Sequence, residues 1–172
     1  GHHRHKKQTG GSGQFGEVYL RVEPLERGAG FEFVNDLFGE SIPRQYLPAI
    51  EKGVQDVLSV GAIAGYPMQD IRVSVYDGKH HPVDSKEVAF RTAGKYAFIE
   101  AVKNAKPVLL EPLVDMEITI PANYMGDIAS DLSGRRGRIH GQDMLPGNMC
   151  CVKAQAPLSE VMQYNSQLRS MT

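Results

Sequence analysis

Apolar and polar positions alternate with period two through Val18, Tyr19, Leu20, Arg21, Val22 and Glu23, placing the three aliphatic side chains on one face; this pattern predicts a strand. His3 to Gln8 and Phe15 to Leu25 then read as a hairpin around a glycine-rich turn, and Gly28-Ala29-Gly30 turns the chain into a strand at Phe31 to Val34. Tyr46, Leu47, Ile50, Val54, Val57 and Leu58 recur at helical spacing up to Gly61, with Ser41 as the expected N-cap and Pro43 in the first turn. Gly65-Tyr66-Pro67 breaks that helix, and Ile71, Val73 and Val75 alternate with Arg72, Ser74 and Tyr76 as a strand. A loop from Asp77 to Asp84 follows. Asp84 with Glu87 makes a capping-box-like start to a second helix, expected to bury Val88, Ala89, Ala93, Tyr96, Ala97 and Val102. Tyr46, Phe90, Tyr96 and Phe98 fit the core of this unit, and Gly94 inside the helix points to close packing against a neighbour.

Lys106-Pro107 closes the first unit. Beyond it the pattern predicts a strand (Pro112 to Ile120), a helix (Asn123 to Leu132), two strands (Arg138 to Gln142 and Met149 to Gln155) and a helix from Ser159. The string is βαββα, one strand short of a ferredoxin-like βαββαβ unit. The polypeptide is therefore expected to be a piece of something longer. Its second sheet is expected to keep an unpaired position that frays or pairs between molecules, leaving the chain monomeric or weakly self-associating.

With 172 residues, 41% hydrophobic and 23% charged, the chain suits one ordinary domain or two small ones. No apolar run approaches membrane-span length. The two cysteines, Cys150 and Cys151, are adjacent and on a strand would face opposite ways, which suits a reducing, cytosolic compartment. Gly1-His2-His3 has the look of a tag remnant. Net charge is −1, so basic character is local: Arg4, Lys6 and Lys7 before the glycine turn, and Arg135, Arg136 and Arg138 inside Gly134-Arg135-Arg136-Gly137-Arg138. Clusters of this kind contact phosphates, although many are solvated surface, and Arg135 and Arg136 could instead pair with Asp127 or Asp131.

Gly11, Gly13 and Gly16 match G-x-G-x-x-G, and Val18 extends the match to the kinase lid pattern. A kinase would also need a lysine on the third strand, an H-R-D and a D-F-G; the first lysine after Gly16 is Lys52, and neither tripeptide occurs. A dinucleotide loop should open a helix, whereas the residues after Gly16 alternate as a strand. The run reads instead as a hairpin tip whose backbone can approach a polyanion. His80 and His81 lack an evident third ligand, so no metal site is expected. Asp84 fits a helix cap better than an RNA ligand. No catalytic constellation is visible.

Several stretches together resemble the C-terminal part of bacterial elongation factor G. They are Lys7 to Gly16, Gly65-Tyr66-Pro67, Tyr76-Asp77-Gly78, Val83-Asp84-Ser85, Pro107 to Pro112, Tyr124 to Asp127, Arg135 to Ile139 and Leu168 to Thr172, in the family's order. The resemblance implies an α+β chain. Residues 1–106 would be a domain IV-like, ribosomal-protein-like unit with a left-handed βαβ crossover, and residues 107–172 a domain V-like, ferredoxin-like unit without its last strand. It also implies that two tip loops enter the decoding centre and contact the tRNA–mRNA duplex. Gly10, Gly11, Ser12, Gly13 and Gln14 match the first, and Lys79, His80, His81 and Asp84 fall in the second. Pro82 stands where the family often has aspartate. Arg135, Arg136 and Arg138 would contact ribosomal RNA, and the partners would be the ribosome, tRNA and mRNA, with no membrane. GTP and magnesium would belong to an upstream domain, leaving this segment without a cofactor or catalysis of its own. The alternatives are a paralogue acting in ribosome recycling or protection, or, from another class, a nucleotide-dependent phosphotransferase using Gly11 to Gly16.

Overall fold

The computed structural model describes residues 1–171 and divides into two compact units, Gly1–Pro107 and Val108–Thr172. The chain is α+β, with two sheets and five α-helices among the described residues. Thr172, which ends the last resemblance stretch, lies outside the described residues.

In the first unit, β1 (His2–Lys7) and β2 (Gln14–Pro24) form the predicted hairpin, followed by β3 (Phe31–Asn35), α1 (Leu47–Val60), β4 (Ile71–Lys79) and α2 (Glu87–Asn104). The sheet order is β1-β2-β4-β3: β4 is antiparallel to β2 and parallel to β3, to which α1 makes the crossover. Val18, Leu20, Val73 and Val75 bury one sheet face against Ala89, Phe90, Ala93, Ala97 and Phe98 of α2, with Ile50, Val54 and Val57 of α1 completing the core. The close helix approach that Gly94 foretold is present, since a Cβ there would lie 2.9 Å from the Ile50 side chain and carbonyl. Gly53 faces the Arg91 carbonyl of α2 and equally leaves no room for a side chain.

Four expectations need correction here. Ser41 does not cap α1: a 3₁₀ turn at Arg44–Tyr46 intervenes, and the helix starts at Leu47 with Pro48 in its first turn, where a missing N–H costs nothing. Asp84 does not cap α2, whose N-cap is Lys86 with no side-chain cap bond. The Asp84 carbonyl instead accepts the Phe15 N–H at 2.8 Å, which holds this backbone extended against the hairpin. Val88 and Tyr96, expected inside, are 51% and 46% exposed, because α2 packs on both the sheet and α1 and fills those contacts with Ala89, Phe90 and Phe98. Gly1-His2-His3 is no loose tag: His2 and His3 belong to β1, and the His2 N–H reaches Glu100 at 2.9 Å.

The second unit runs β5 (Leu113–Pro121), α3 (Met125–Gly134), β6 (Arg138–Leu145), β7 (Met149–Pro157), α4 (Leu158–Val161) and α5 (Tyr164–Met171). Its antiparallel sheet has the order β5-β7-β6. Ile118, Ile120, Cys150, Val152, Ala154 and Ala156 cover Ile128 and Leu132 of α3 and Tyr164 of α5. Strand β5 is in register with β7 from Leu113 opposite Pro157 to Pro121 opposite Met149. Cys150 is buried and Cys151 half-buried, both free thiols on opposite faces of β7. No described helix is long and apolar enough to cross a membrane.

Candidate nucleic-acid interface

The glycine turn is explained by backbone geometry and packing. Gly10 and Gly11 have φ of +76° and +131°, the region a side chain disfavours, and they form the open tip between β1 and β2. Gly13 and Gly16 serve close approach. A Cβ on Gly13 would lie 2.5 Å from Asp84 Oδ1, and one on Gly16 would lie 3.1 Å from the Phe90 nitrogen at the start of α2. Strand β2, not a helix, follows Gly16. The G-x-G-x-x-G spacing therefore comes from a turn and two contact points.

The second loop is shorter than the sequence indicated, because β4 continues through Asp77, Gly78 and Lys79. Gly78 pairs with Val18 and Lys79 with Glu17, and any side chain at Gly78 would meet the Glu17 carbonyl and Ile42. Lys79 thus closes the strand with an exposed side chain, and the loop proper is His80 to Ser85.

The structure brings the two predicted loops together at one end of the first unit. Phe15 bridges Ser85 in parallel fashion, and the Ser85 hydroxyl donates to the Phe15 carbonyl at 3.1 Å. The Phe15 and His81 rings pack with centroids 6.2 Å apart. His81 Nδ1 accepts the N–H groups of Val83 and Asp84 at 3.2 and 3.1 Å, with the Asp84 carboxylate 3.7 Å away. An accepting Nδ1 selects the tautomer with its proton on Nε2. His80 Nδ1 donates to the Ser41 carbonyl at 3.1 Å, tying in the segment before α1. His5 Nε2 donates to Gln14 Oε1 at 2.9 Å and orients that amide.

Charges divide into engaged and free. Arg4, expected to face a polyanion, instead bonds Glu17 at 3.1 and 3.2 Å, and His2 joins the same carboxylate at 2.7 Å. Burial alone would raise the Glu17 pKa; the bonds from Arg4 and His2 outweigh it and hold the carboxyl below its usual value. Arg4 lies opposite Glu17 in the hairpin register, so a cross-strand charge pair was a readable signal. Lys6, Lys7 and Lys79 are exposed and have no ion-pair partner among the described residues.

In the second unit, Gly134 to Arg138 connects α3 to β6. Arg135 is only 21% exposed: it pairs with Asp131 at 2.9 Å, donates to the Glu160 carbonyl at 2.9 Å and lies 5.2 Å from the Tyr164 ring centroid. The Asp131 bond holds its guanidinium above the usual pKa, while burial first and Asp131's charge second push the Tyr164 phenol up to about 12. Arg136, at φ +60°, pairs with Glu111 and with Glu160 at 3.1 Å. Arg138 is exposed and makes no ion pair among the described residues. Of the three cluster arginines, two are engaged within the unit and one is available. Among the described residues no group of three or more His, Cys, Asp or Glu is placed to hold a metal ion.

Comparison with known proteins adds three findings. Residues 1–106 match the profile of elongation factor G, domain IV, and residues 108–172 match that of the elongation factor G C-terminus. The fold is similar to a crystal structure of a protein from Thermus thermophilus, at 40% identity and a TM-score of 0.76. That match takes in 100% of this chain but only 26% of the Thermus chain.

Proposed function

The chain belongs to the elongation factor G family, and from that premise we propose that it is the ribosome-binding part of a longer, cytoplasmic translational GTPase that promotes translocation of tRNA and mRNA. Residues 8–14 and 79–85 form the end that enters the decoding centre, contacting the tRNA–mRNA duplex through Gly10, Gly11, Ser12, Gly13, Gln14, Lys79, His80, His81 and Asp84. GTP and magnesium act in the upstream domain. The second unit is the domain V-like part, and its unpaired Arg138 meets ribosomal RNA phosphate. Such contacts position the factor and read no sequence.

The observation that supports this reading best is the junction itself. Two loops meet at one end although Phe15 and Ser85 stand 70 positions apart in sequence, and the 2.8 Å bond from the Phe15 N–H to the Asp84 carbonyl joins them. The task is gating, in which the tip occupies a site and opposes back-slippage. Moving a two-state equilibrium from 1:99 to 99:1 takes about 5.5 kcal/mol. One hydrogen bond contributes about 0.5–1.5 kcal/mol net. No single hydrogen bond meets that requirement, so gating needs several contacts from the tip acting together.

The test uses the full-length factor with residues 10–13 shortened, or with Lys79→Ala and His81→Ala combined. Single-round translocation should slow strongly while ribosome binding and ribosome-stimulated GTP turnover hold. Unchanged translocation would overturn the tip role, and micromolar ATP or GTP binding by residues 1–172 alone would favour the phosphotransferase reading. Subunit splitting, measured in parallel, separates translocation from a recycling role.

A further inference from the structure

Ser85 stands at the meeting point of three segments. Its hydroxyl accepts the His81 N–H at 2.8 Å and donates to the Phe15 carbonyl at 3.1 Å. Its backbone N–H donates to the His81 carbonyl at 3.2 Å, closing the second loop, and its own carbonyl accepts the Tyr46 hydroxyl at 3.0 Å. Tyr46 is in turn stacked on Phe90 of the core, with ring centroids 4.6 Å apart. A continuous chain of contacts thus runs from the buried α1–α2 core through Tyr46 and Ser85 to both loops.

We infer that Ser85, backed by Tyr46, is the positioning residue that locks the glycine turn and the histidine loop into one body; its value to translocation rests on the reading above. The chemistry requires a hydroxyl. The site must accept from one backbone N–H and donate to another backbone carbonyl within one short side chain, which alanine cannot do and threonine can. Without it, Phe15 retains its bond to the Asp84 carbonyl, but the His81 N–H and the Phe15 carbonyl lose their shared partner. The two loops then stay joined through that one bond alone, and their motion relative to each other increases, although each keeps its own residues.

The experiment compares Ser85→Ala, Ser85→Thr and Tyr46→Phe in the full-length protein by amide hydrogen exchange, followed by single-round translocation. In S85A, which removes two hydrogen bonds, exchange of the amides beside the glycine turn (Gln14 and Phe15) and of residues 81–84 should rise at least about five- to tenfold. Exchange over α2, residues 87–104, should stay unchanged. S85T should restore protection, and Y46F should give a smaller rise in the same two loops. Unaltered exchange in both loops of S85A, a rise confined to one loop, or an equal rise across α2 would each overturn the proposal. Translocation should slow in proportion to loop exchange. If exchange rises as stated but neither S85A nor the shortened 10–13 loop alters translocation, the lock stands and the proposed function fails.

Discussion

The glycine turn at residues 8–13 and the arginine turn at residues 134–138 are alike in composition, each setting glycines beside cations, and they fold to opposite arrangements. At the first, the backbone is fixed by Gly13 against Asp84 and Phe15 against Ser85, while Lys6, Lys7 and Lys79 extend into solvent. At the second, the side chains do the fixing: Arg135 holds Asp131, the Glu160 carbonyl and the Tyr164 ring, and Arg136 holds Glu111 and Glu160. The difference lies in what adjoins each turn. The arginine turn ends a helix, where the Gly137 N–H bonds the Leu132 carbonyl at 2.7 Å, and cations there meet both the helix's negative end and an acidic residue four positions back. The hairpin has no helix end, and its acid Glu17 is taken by Arg4 and His2, so Lys6, Lys7 and Lys79 stay unpaired. A basic cluster beside glycine thus leaves its cations free only where no local acid claims them.

Three substitutions can break or sharpen that contrast. The largest effect should come from Arg135→Ala, which leaves Asp131 without its partner and strips one face of Tyr164; the second unit should lose about 2–3 kcal/mol in denaturant unfolding. A variant as stable as the parent would mean that the arginine turn is as free as the hairpin tip. Next, Gly16→Ala presses a methyl group onto the first turn of α2, where backbone has little room to yield, and should cost about 1–2 kcal/mol in the first unit. Equal stability there would remove packing as the reason for the third glycine. The smallest effect belongs to Arg138→Ala, which should leave unfolding unchanged. If Arg138 meets phosphate, the variant should also lower the salt dependence of ribosomal RNA binding by about one counterion. A loss of stability in that variant would place Arg138 with its two neighbours and remove the distinction drawn between them.

Much of the architecture was legible because it follows from short-range rules. Alternation at Val18 to Glu23 named β2, the 3.6-residue spacing from Leu47 to Leu58 named α1, and Gly61 marked its end at φ +85°. Gly94 inside a helix foretold a close neighbour. Helix starts were less legible. Ser41 and Asp84 are good caps by residue type, yet tertiary hydrogen bonds hold their segments elsewhere, with the Ser41 carbonyl taking His80 and the Asp84 carbonyl taking Phe15. At the candidate site, Gly10 to Gln14 and Lys79 to Asp84 were identified as loops, whereas Ser85 and Tyr46 carried no sign of their part in joining them.

Sequence alone therefore determined where most strands and helices run and the family to which the chain belongs. These depend on local periodicity, turn chemistry and ordered motifs, all of which survive in one dimension. Only the tertiary structure decided which cations are free and which are engaged, why Gly10, Gly11 and Gly16 are glycines, and that one serine hydroxyl contacts two distant loops. Those outcomes depend on which residues meet across β2–β4 pairing and α1–α2 packing, and a hydrogen bond spanning 70 positions has no period to read.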